Sequence, residues 1–413
     1  MRLEWALIAT TLLVLAAILR QGSLLLIAVP IFMLYCIEQI WAKYALRRVD
    51  YSRHLSATRA FFGDEVTFEM HLANRKLLPL PWVQIDEELD EKLALPETVT
   101  TSPSPHPGRI LLRNIIPVGW YHRVKIVHTI RCMKRGFFSF GPTRVQSGDY
   151  FRFHVREMVV ENSASLIVYP RILPLDELGI PSRDPFGEIL VRRHLFQDPV
   201  LVASVRDYAP GDPFRRIHWK ASARMARLQT KVFEHTTSTD IAIFFDVRTV
   251  KHPFWGEVSQ LLETACIATA SIANDSIERG YRVGLYVNHP YPESTNPIRV
   301  RPSGHRAQLQ RILQALAMVG PTESLAIDHL IVQEGGSLPW GSTIVAVAAV
   351  PTPALVAALG TFQRAGRPVA LVVIGEDVPE CSVDSLTTYH VPAEVAWERV
   401  DELAISHPDR SPH

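Results

Sequence analysis

The chain has 413 residues, of which 47% are hydrophobic and 21% charged, and its formal net charge is +1. That length leaves room for two or three globular domains, and the near-zero charge removes any bulk electrostatic case for a nucleic-acid partner. The cysteines (Cys36, Cys132, Cys266, Cys381) are scattered with no C-x-x-C spacing, which excludes the common zinc and redox motifs and suits a reducing compartment.

In chain order, the first signal is two apolar runs. Trp5 to Leu19 and Ser23 to Ile37 carry no charge and are separated by Arg20-Gln21-Gly22. Each gives roughly 22 Å of helix, short of the roughly 30 Å hydrocarbon core. Arg2 and Arg20 can snorkel, and Trp5, Tyr35, Trp41 and Tyr44 suit the interface. A signal peptide is the rival reading, but no A-x-A-like site with a polar mature start follows. A buried core hairpin is the second rival. The expectation is a transmembrane helical hairpin over residues 1–48. Lys43, Arg47, Arg48 and Arg53 follow the second run, so the positive-inside rule puts the soluble body on the cytoplasmic side of the cell membrane. The reverse topology would leave an envelope-facing structural or interaction protein.

Residues 49–170 turn to period two. Val66 to Leu72 and Arg123 to Ile130 alternate, with turn signals at Gly63-Asp64, Leu78 to Pro81, Pro103 to Gly108 and Gly141-Pro142. Short strands with Pro/Gly turns predict a β-sandwich of immunoglobulin-like type.

Residues 239–406 read as an α/β domain of Rossmann-like type. Asp240 to Asp246 is a buried strand ending on a carboxylate. Helix Trp255 to Arg279, strand Arg282 to Val287, a hairpin arm Ile298 to Arg301 and helix His305 to Val319 follow. Strands Thr343 to Val350 and Val369 to Ile374 flank a helix from Pro353 to Ala365. Apolar strands alternating with helices predict a mostly parallel sheet, where ligands favour the carboxyl ends of strands. The polar tail 407–413 reads as disordered.

The segment between these domains, within 171–238, is the densest in chemistry. Pro210-Gly211 makes a turn, Asp212 suits an N-cap and Pro213 the first helical position. Phe214, Ile217, Ala221 and Met225 would then share an apolar face, with Arg216, Lys220 and Arg224 as a cationic ridge beside it. Arg206 and Arg215 add charge, and Tyr208, Trp219 and His218 are interleaved. Arginine with aromatics is the composition of binding hot spots, and arginine forks clasp carboxylates. A helix packed on the sheet with its cations in solvent, or internal glue between domains, are the plainer readings.

The matches Arg206, Tyr208, Gly211, Asp212, Arg216, Trp219, Lys220, Ala223 and Arg224 resemble the signature of the domain-of-unknown-function 58 proteins. Lys134-Arg135-Gly136, Gly141-Pro142, Gly148-Asp149 and Val168-Tyr169-Pro170 resemble that family's upstream pattern. The resemblance implies a bacterial or archaeal membrane protein with a von Willebrand A-like domain. It also implies a neighbouring MoxR-type AAA+ ATPase, often a transglutaminase-like membrane protein, and an adaptor role in assembly or maturation of other proteins. Metal-binding von Willebrand A domains carry Asp-x-Ser-x-Ser, whereas here the loop is Asp246-Val247-Arg248-Thr249-Val250. Arg248 brings positive charge where a hard cation would sit and Val250 offers no ligand. No metal and no cofactor is expected, and Arg248 could pair with Asp246 in place of the ion.

A hydrolase-type enzyme using Asp207, Asp212 and His218 is the alternative. No G-x-S-x-G, Walker A, H-E-x-x-H or Rossmann glycine pattern accompanies these residues. The expectation is a membrane-anchored, non-enzymatic adaptor.

Overall fold

The computed structural model describes residues 11, 14, 15, 18, 22–96, 99–150, 152, 154–161, 163–181, 202–233, 240–250, 258–291, 294–339, 341–375 and 386–393. Most of the first apolar run, the start of the helix expected from Trp255 and the tail 407–413 lie outside the described residues. The chain divides into two compact units, residues 1–168 and 169–413.

Among the described residues, unit 1 carries helix α1 (Gly22–Tyr44) followed by strands β1 (Val49–Leu55), β2 (Arg59–Phe61), β3 (Glu65–Asn74), β4 (Leu80–Asp90), β5 (Thr101–Pro103), β6 (Arg109–Val118), β7 (Arg123–Arg131), β8 (Gly136–Phe140), β9 (Thr143–Gly148), β10 (Val155–Val160) and β11 (Ala164–Tyr169). The sheets run β1-β3-β7, β10-β9-β4-β6-β5 and β2-β11-β8. In β3, Val66, Phe68, Met70 and Leu72 are buried at alternate positions, as the pleat requires. They meet Ile85 and Leu89 of β4, Val145 of β9 and Leu166 of β11 in one core. Phe68 and Phe140 sit 5.2 Å apart, centroid to centroid.

The transmembrane hairpin expectation is corrected here. Among the described residues no helix is long and apolar enough to cross a membrane. The N-terminal unit is β-rich rather than a helical hairpin with a separate body. The uncharged part of α1, Gly22 to Ile37, gives roughly 24 Å of helix, less than a bilayer core. Glu38 and Lys43 follow within the same helix. Its last turns are tied to the β3–β4 loop: Trp41 Nε1 donates to Pro79 O at 3.0 Å. Lys76 Nζ donates to Arg47 O at 2.9 Å just beyond.

Unit 2 carries β12 (Val202–Asp207), a 3₁₀ turn (Phe214–Arg216), α2 (Trp219–Met225) and β13 (Gln229–Phe233). Then come β14 (Asp240–Phe245), α3 (Ser259–Glu278), β15 (Arg282–Pro290), β16 (Pro297–Ser303), α4 (Gln308–Ala317), α5 (Ile327–Gly335), β17 (Thr343–Ala348), α6 (Pro353–Arg364), β18 (Val369–Ile374) and β19 (Thr387–Val391). The large sheet has the order β16-β15-β14-β17-β18-β19. Its strands are parallel except β16, which returns antiparallel to β15. Strands β14, β17 and β18 are buried at every position, so both faces are covered. Ala242, Phe244, Ile344 and Leu371 pack with Leu330 of α5 and Leu359 of α6. Over the described residues, nineteen strands in five sheets outnumber the six named α-helices, so β structure predominates there.

Candidate functional site

Strands β12 and β13 form a two-stranded antiparallel sheet, with Arg206 opposite Thr230 and Asp207 opposite Gln229. The intervening residues fold back on this sheet. Gly211 sits at φ 108°, a backbone conformation that glycine adopts at no steric cost, and so closes the turn after Tyr208. Tyr208 and Phe214 stack with centroids 6.0 Å apart. Ile217 is buried and bridges to Thr230, and the His218 amide donates to Gln229 O at 2.8 Å.

The expected continuous helix from Pro213 is not formed. Ile217 is extended (φ −65°, ψ 130°), which separates the 3₁₀ turn from α2. His218 takes the capping role, its Nδ1 accepting from the Ala221 amide at 3.1 Å. Asp212 instead reaches backwards. It accepts from Arg206 Nη2 at 2.6 Å, the Ala209 amide at 3.1 Å and Thr230 Oγ1 at 3.1 Å. The Arg206 guanidinium, aided by the Ala209 amide, holds this carboxyl below its usual range. Of the expected apolar face only Ile217 is buried: Ala221 is half-buried, and Phe214 and Met225 are 71% and 57% exposed.

The cationic ridge breaks at the same point. Lys220 and Arg224 share α2, while Arg216 belongs to the preceding turn and Arg215 is exposed beside it. Lys220 and Arg224 are joined by Arg206 and Arg227 around an open depression of about 640 Å³, also lined by His218 and Asp207. Arg215, Arg216 and Trp219 do not line it. Arg227 escaped the sequence reading because its direction depends on Ala226, which adopts a left-handed conformation (φ 52°) as the cap of α2. Asp207 is engaged twice, by Arg227 Nη1 at 3.0 Å and by the Gln229 amide group. With Arg206 paired to Asp212 and Arg227 to Asp207, Lys220 and Arg224 are the cations that tip the depression positive. Such a surface attracts anions, and arginine forks suit carboxylate or phosphate. The candidate acid/base trio is dispersed into local duties: Asp207 on Arg227, Asp212 on the turn, His218 on the helix cap.

A second polar cluster, unforeseen, lies within unit 1. Asp86, Glu87 and Glu88 of β4 are all buried. Glu87 contacts Arg53 and Thr143 and accepts from Tyr51 Oη at 2.8 Å. Burial pushes both the Glu87 carboxyl and the Tyr51 phenol up. Asp86 pairs with Arg113 Nε at 2.8 Å. Glu88 lies 2.8 Å from His106 Nδ1 and 3.3 Å from Arg109 Nε.

At the end of β14, Asp246 Oδ1 accepts from Asn288 Nδ2 at 2.8 Å and from the Arg248 amide at 3.1 Å. Burial pushes its carboxyl up to about 6. The suggestion that the Arg248 side chain replaces an ion at Asp246 is corrected: its guanidinium pairs with Glu323 Oε2 at 2.9 Å. Thr249 Oγ1 accepts from the Val258 amide at 3.1 Å, ahead of α3. Among the described residues no group of three His, Cys, Asp or Glu side chains is placed to hold a metal ion.

Residues 204–334 match the family described as Protein of unknown function DUF58. The matched stretch runs from within β12 into α5 and so contains the residues lining the depression and Asp246. The chain is also 27% identical over 263 residues to Uncharacterized protein YeaD of Bacillus subtilis (strain 168), an alignment covering 62% of this chain. The chain spans 59% of that relative's length. Among solved structures, a CARDB domain from Pyrococcus furiosus aligns at 9% identity with a TM-score of 0.19, covering 29% of this chain and 91% of that one. A cohesin module from Clostridium perfringens aligns at 14% with a TM-score of 0.21, covering 29% and 96%.

Proposed function

We propose that the chain is a non-enzymatic adaptor whose 202–233 segment docks acidic groups of a partner protein. The observation that carries this reading is the convergence of Arg206, Lys220, Arg224 and Arg227 on one open depression in which Asp207 is already paired. The exposed Phe214 and Trp219 supply apolar contact nearby, and such mixtures of arginine and aromatics favour protein partners. The family resemblance names the partner to test first: a MoxR-type AAA+ ATPase, with a transglutaminase-like membrane protein second, in assembly or maturation of other proteins. A partner that consumes ATP puts this surface in the cytoplasm.

The test is affinity purification of the full chain with and without ATP. A Lys220→Glu/Arg224→Glu variant, whose positions are exposed, is expected to keep its thermal transition and lose the ATPase. Capture of the ATPase at wild-type level by the folded variant would defeat this reading. Turnover of an ester or peptide substrate, abolished by His218→Ala, would favour the hydrolase instead.

A further inference from the structure

The end of unit 1 that receives α1 carries a surface unrelated to the basin. The β3–β4 and β6–β7 loops lie side by side and are sewn together by backbone and side chain. The Asn74 amide donates to His122 O at 2.9 Å and the Tyr121 amide to Lys76 O at 3.1 Å. Asn74 Nδ2 donates to Leu78 O and Gly119 O, each at 2.9 Å. With their backbone engaged in this way, the loops project Leu77, Trp120 and Tyr121, which are 73%, 67% and 66% exposed. Single exposed apolar residues are ordinary, but three grouped on a pinned pair of loops mark a contact surface.

Two neighbours define what that surface meets. The loops adjoin α1 through the Trp41–Pro79 and Lys76–Arg47 hydrogen bonds, and the Arg75 amide donates to Arg48 O at 2.9 Å. The helix leaves Leu26, Ile27, Met33, Leu34 and Ile40 exposed. The β9–β10 turn brings the exposed Tyr150 edge-on to Trp41, centroids 5.8 Å apart. Cations surround the same end: Lys43, Arg47, Arg48, Arg123 and Arg152 are exposed. The Asp50 carboxylate nearby is held by Arg75 Nε at 2.7 Å. Tryptophan and tyrosine beside arginine and lysine, bordering apolar surface, is the chemistry of the lipid headgroup layer.

We infer that this end of unit 1 rests on the surface of an anionic bilayer, with Leu77, Trp120 and Tyr121 at the headgroup–acyl boundary and Arg48 and Arg123 at lipid phosphates. The cations favour lipid over a second copy of the chain, which would bring like charges together. The contact is interfacial and invokes no crossing.

The test uses the purified full chain and phosphatidylcholine vesicles with or without phosphatidylglycerol, carrying bromine on the upper acyl chain. The Trp120 component of fluorescence is isolated as the difference between wild type and Trp120→Phe. It is expected to be quenched by brominated lipid and shielded from acrylamide, more strongly with phosphatidylglycerol and less at high salt. Arg123→Glu is expected to lose the phosphatidylglycerol dependence while its thermal transition stays in place. A Trp120 component equally open to acrylamide with and without vesicles overturns the inference. So does quenching indifferent to phosphatidylglycerol. A lipid-free dimer dispersed by Leu77→Ser/Tyr121→Ser would assign the surface to self-association and overturn it as well. None of these readouts depends on the ATPase, so the two proposals fail separately.

Discussion

Arg206 and Asp212, six residues apart, close the turn at the edge of the basin: the guanidinium Nη2 lies 2.6 Å from Oδ1, and Oδ2 takes the Ala209 amide. Two residues of the segment that resembles the DUF58 signature are thereby joined in one ion pair, and Arg206 lines the depression.

Asp212→Ala is expected to release the Ala209 amide, seen as faster hydrogen exchange at that residue with little change in β14 to β18. In the wild type the same protection is present above the ordinary carboxylate range near pH 3.9. It is lost as pH falls through the lowered folded-state value, because the folded carboxyl holds its charge more tightly than the unfolded one. Unchanged exchange at Ala209 in the variant would remove the turn-closing role.

Asp246 behaves in the opposite sense. Its carboxyl is buried and pushed up to about 6, so between roughly pH 4 and 6 the folded chain binds more protons here than the unfolded chain. Stability from this group is therefore greatest below that window and declines as pH rises through it. Asp246→Asn, which has no carboxyl to titrate, is expected to flatten the profile of urea midpoints over this range. At pH 7 the difference attributable to ionisation is at most about 3 kcal/mol. Parallel pH profiles for the two proteins would contradict this.

The pairing of Glu87 with Arg53 makes single truncations costly. Arg53→Met leaves a buried carboxylate without its cation and is expected to lower the stability of unit 1 by roughly 3–5 kcal/mol. The double variant Arg53→Met/Glu87→Leu should recover much of the loss, measured by urea denaturation of the full chain. Additive losses in the double variant would show that the two side chains are not coupled.

Gly148 has no room for a side chain: a Cβ there would lie 1.9 Å from His154 O. Gly148→Ala must displace the β9–β10 turn, whose Asp149 O accepts from Trp82 Nε1 at 2.8 Å. A cost of about 1–3 kcal/mol and a shifted Trp82 indole N–H resonance are expected. An unmoved resonance would show that the turn absorbs the methyl group elsewhere.

Strands were the most legible part of the sequence. Alternation from Val66 to Leu72 and the apolar run from Asp240 to Phe245 state their burial directly, because the pleat sorts side chains by face. The 213–225 segment misled, since its apolar spacing fits a helix while Ile217 is held extended by the sheet, a tertiary effect that periodicity does not carry. α1 misled in another way. Its composition reads as lipid-embedded, but Glu38 and Lys43 shorten the apolar stretch and its end is bonded to the β3–β4 loop. Arg227 and the carboxylates of β4 were invisible for one shared reason. A charged letter in a sequence does not say which cation or anion will face it after folding.

The consecutive acids of β4 have a further consequence for how that strand finds its place. Ile85 and Leu89 point into the core of unit 1 with Glu87 on the same face, while Asp86 and Glu88 meet Arg113 and Arg109 on the other side. Sliding β4 by a single residue would turn Glu87 away from its guanidinium and drive two other acids into hydrocarbon. An aliphatic strand could tolerate such a slip; this one is keyed, and its five-stranded sheet can assemble in one alignment.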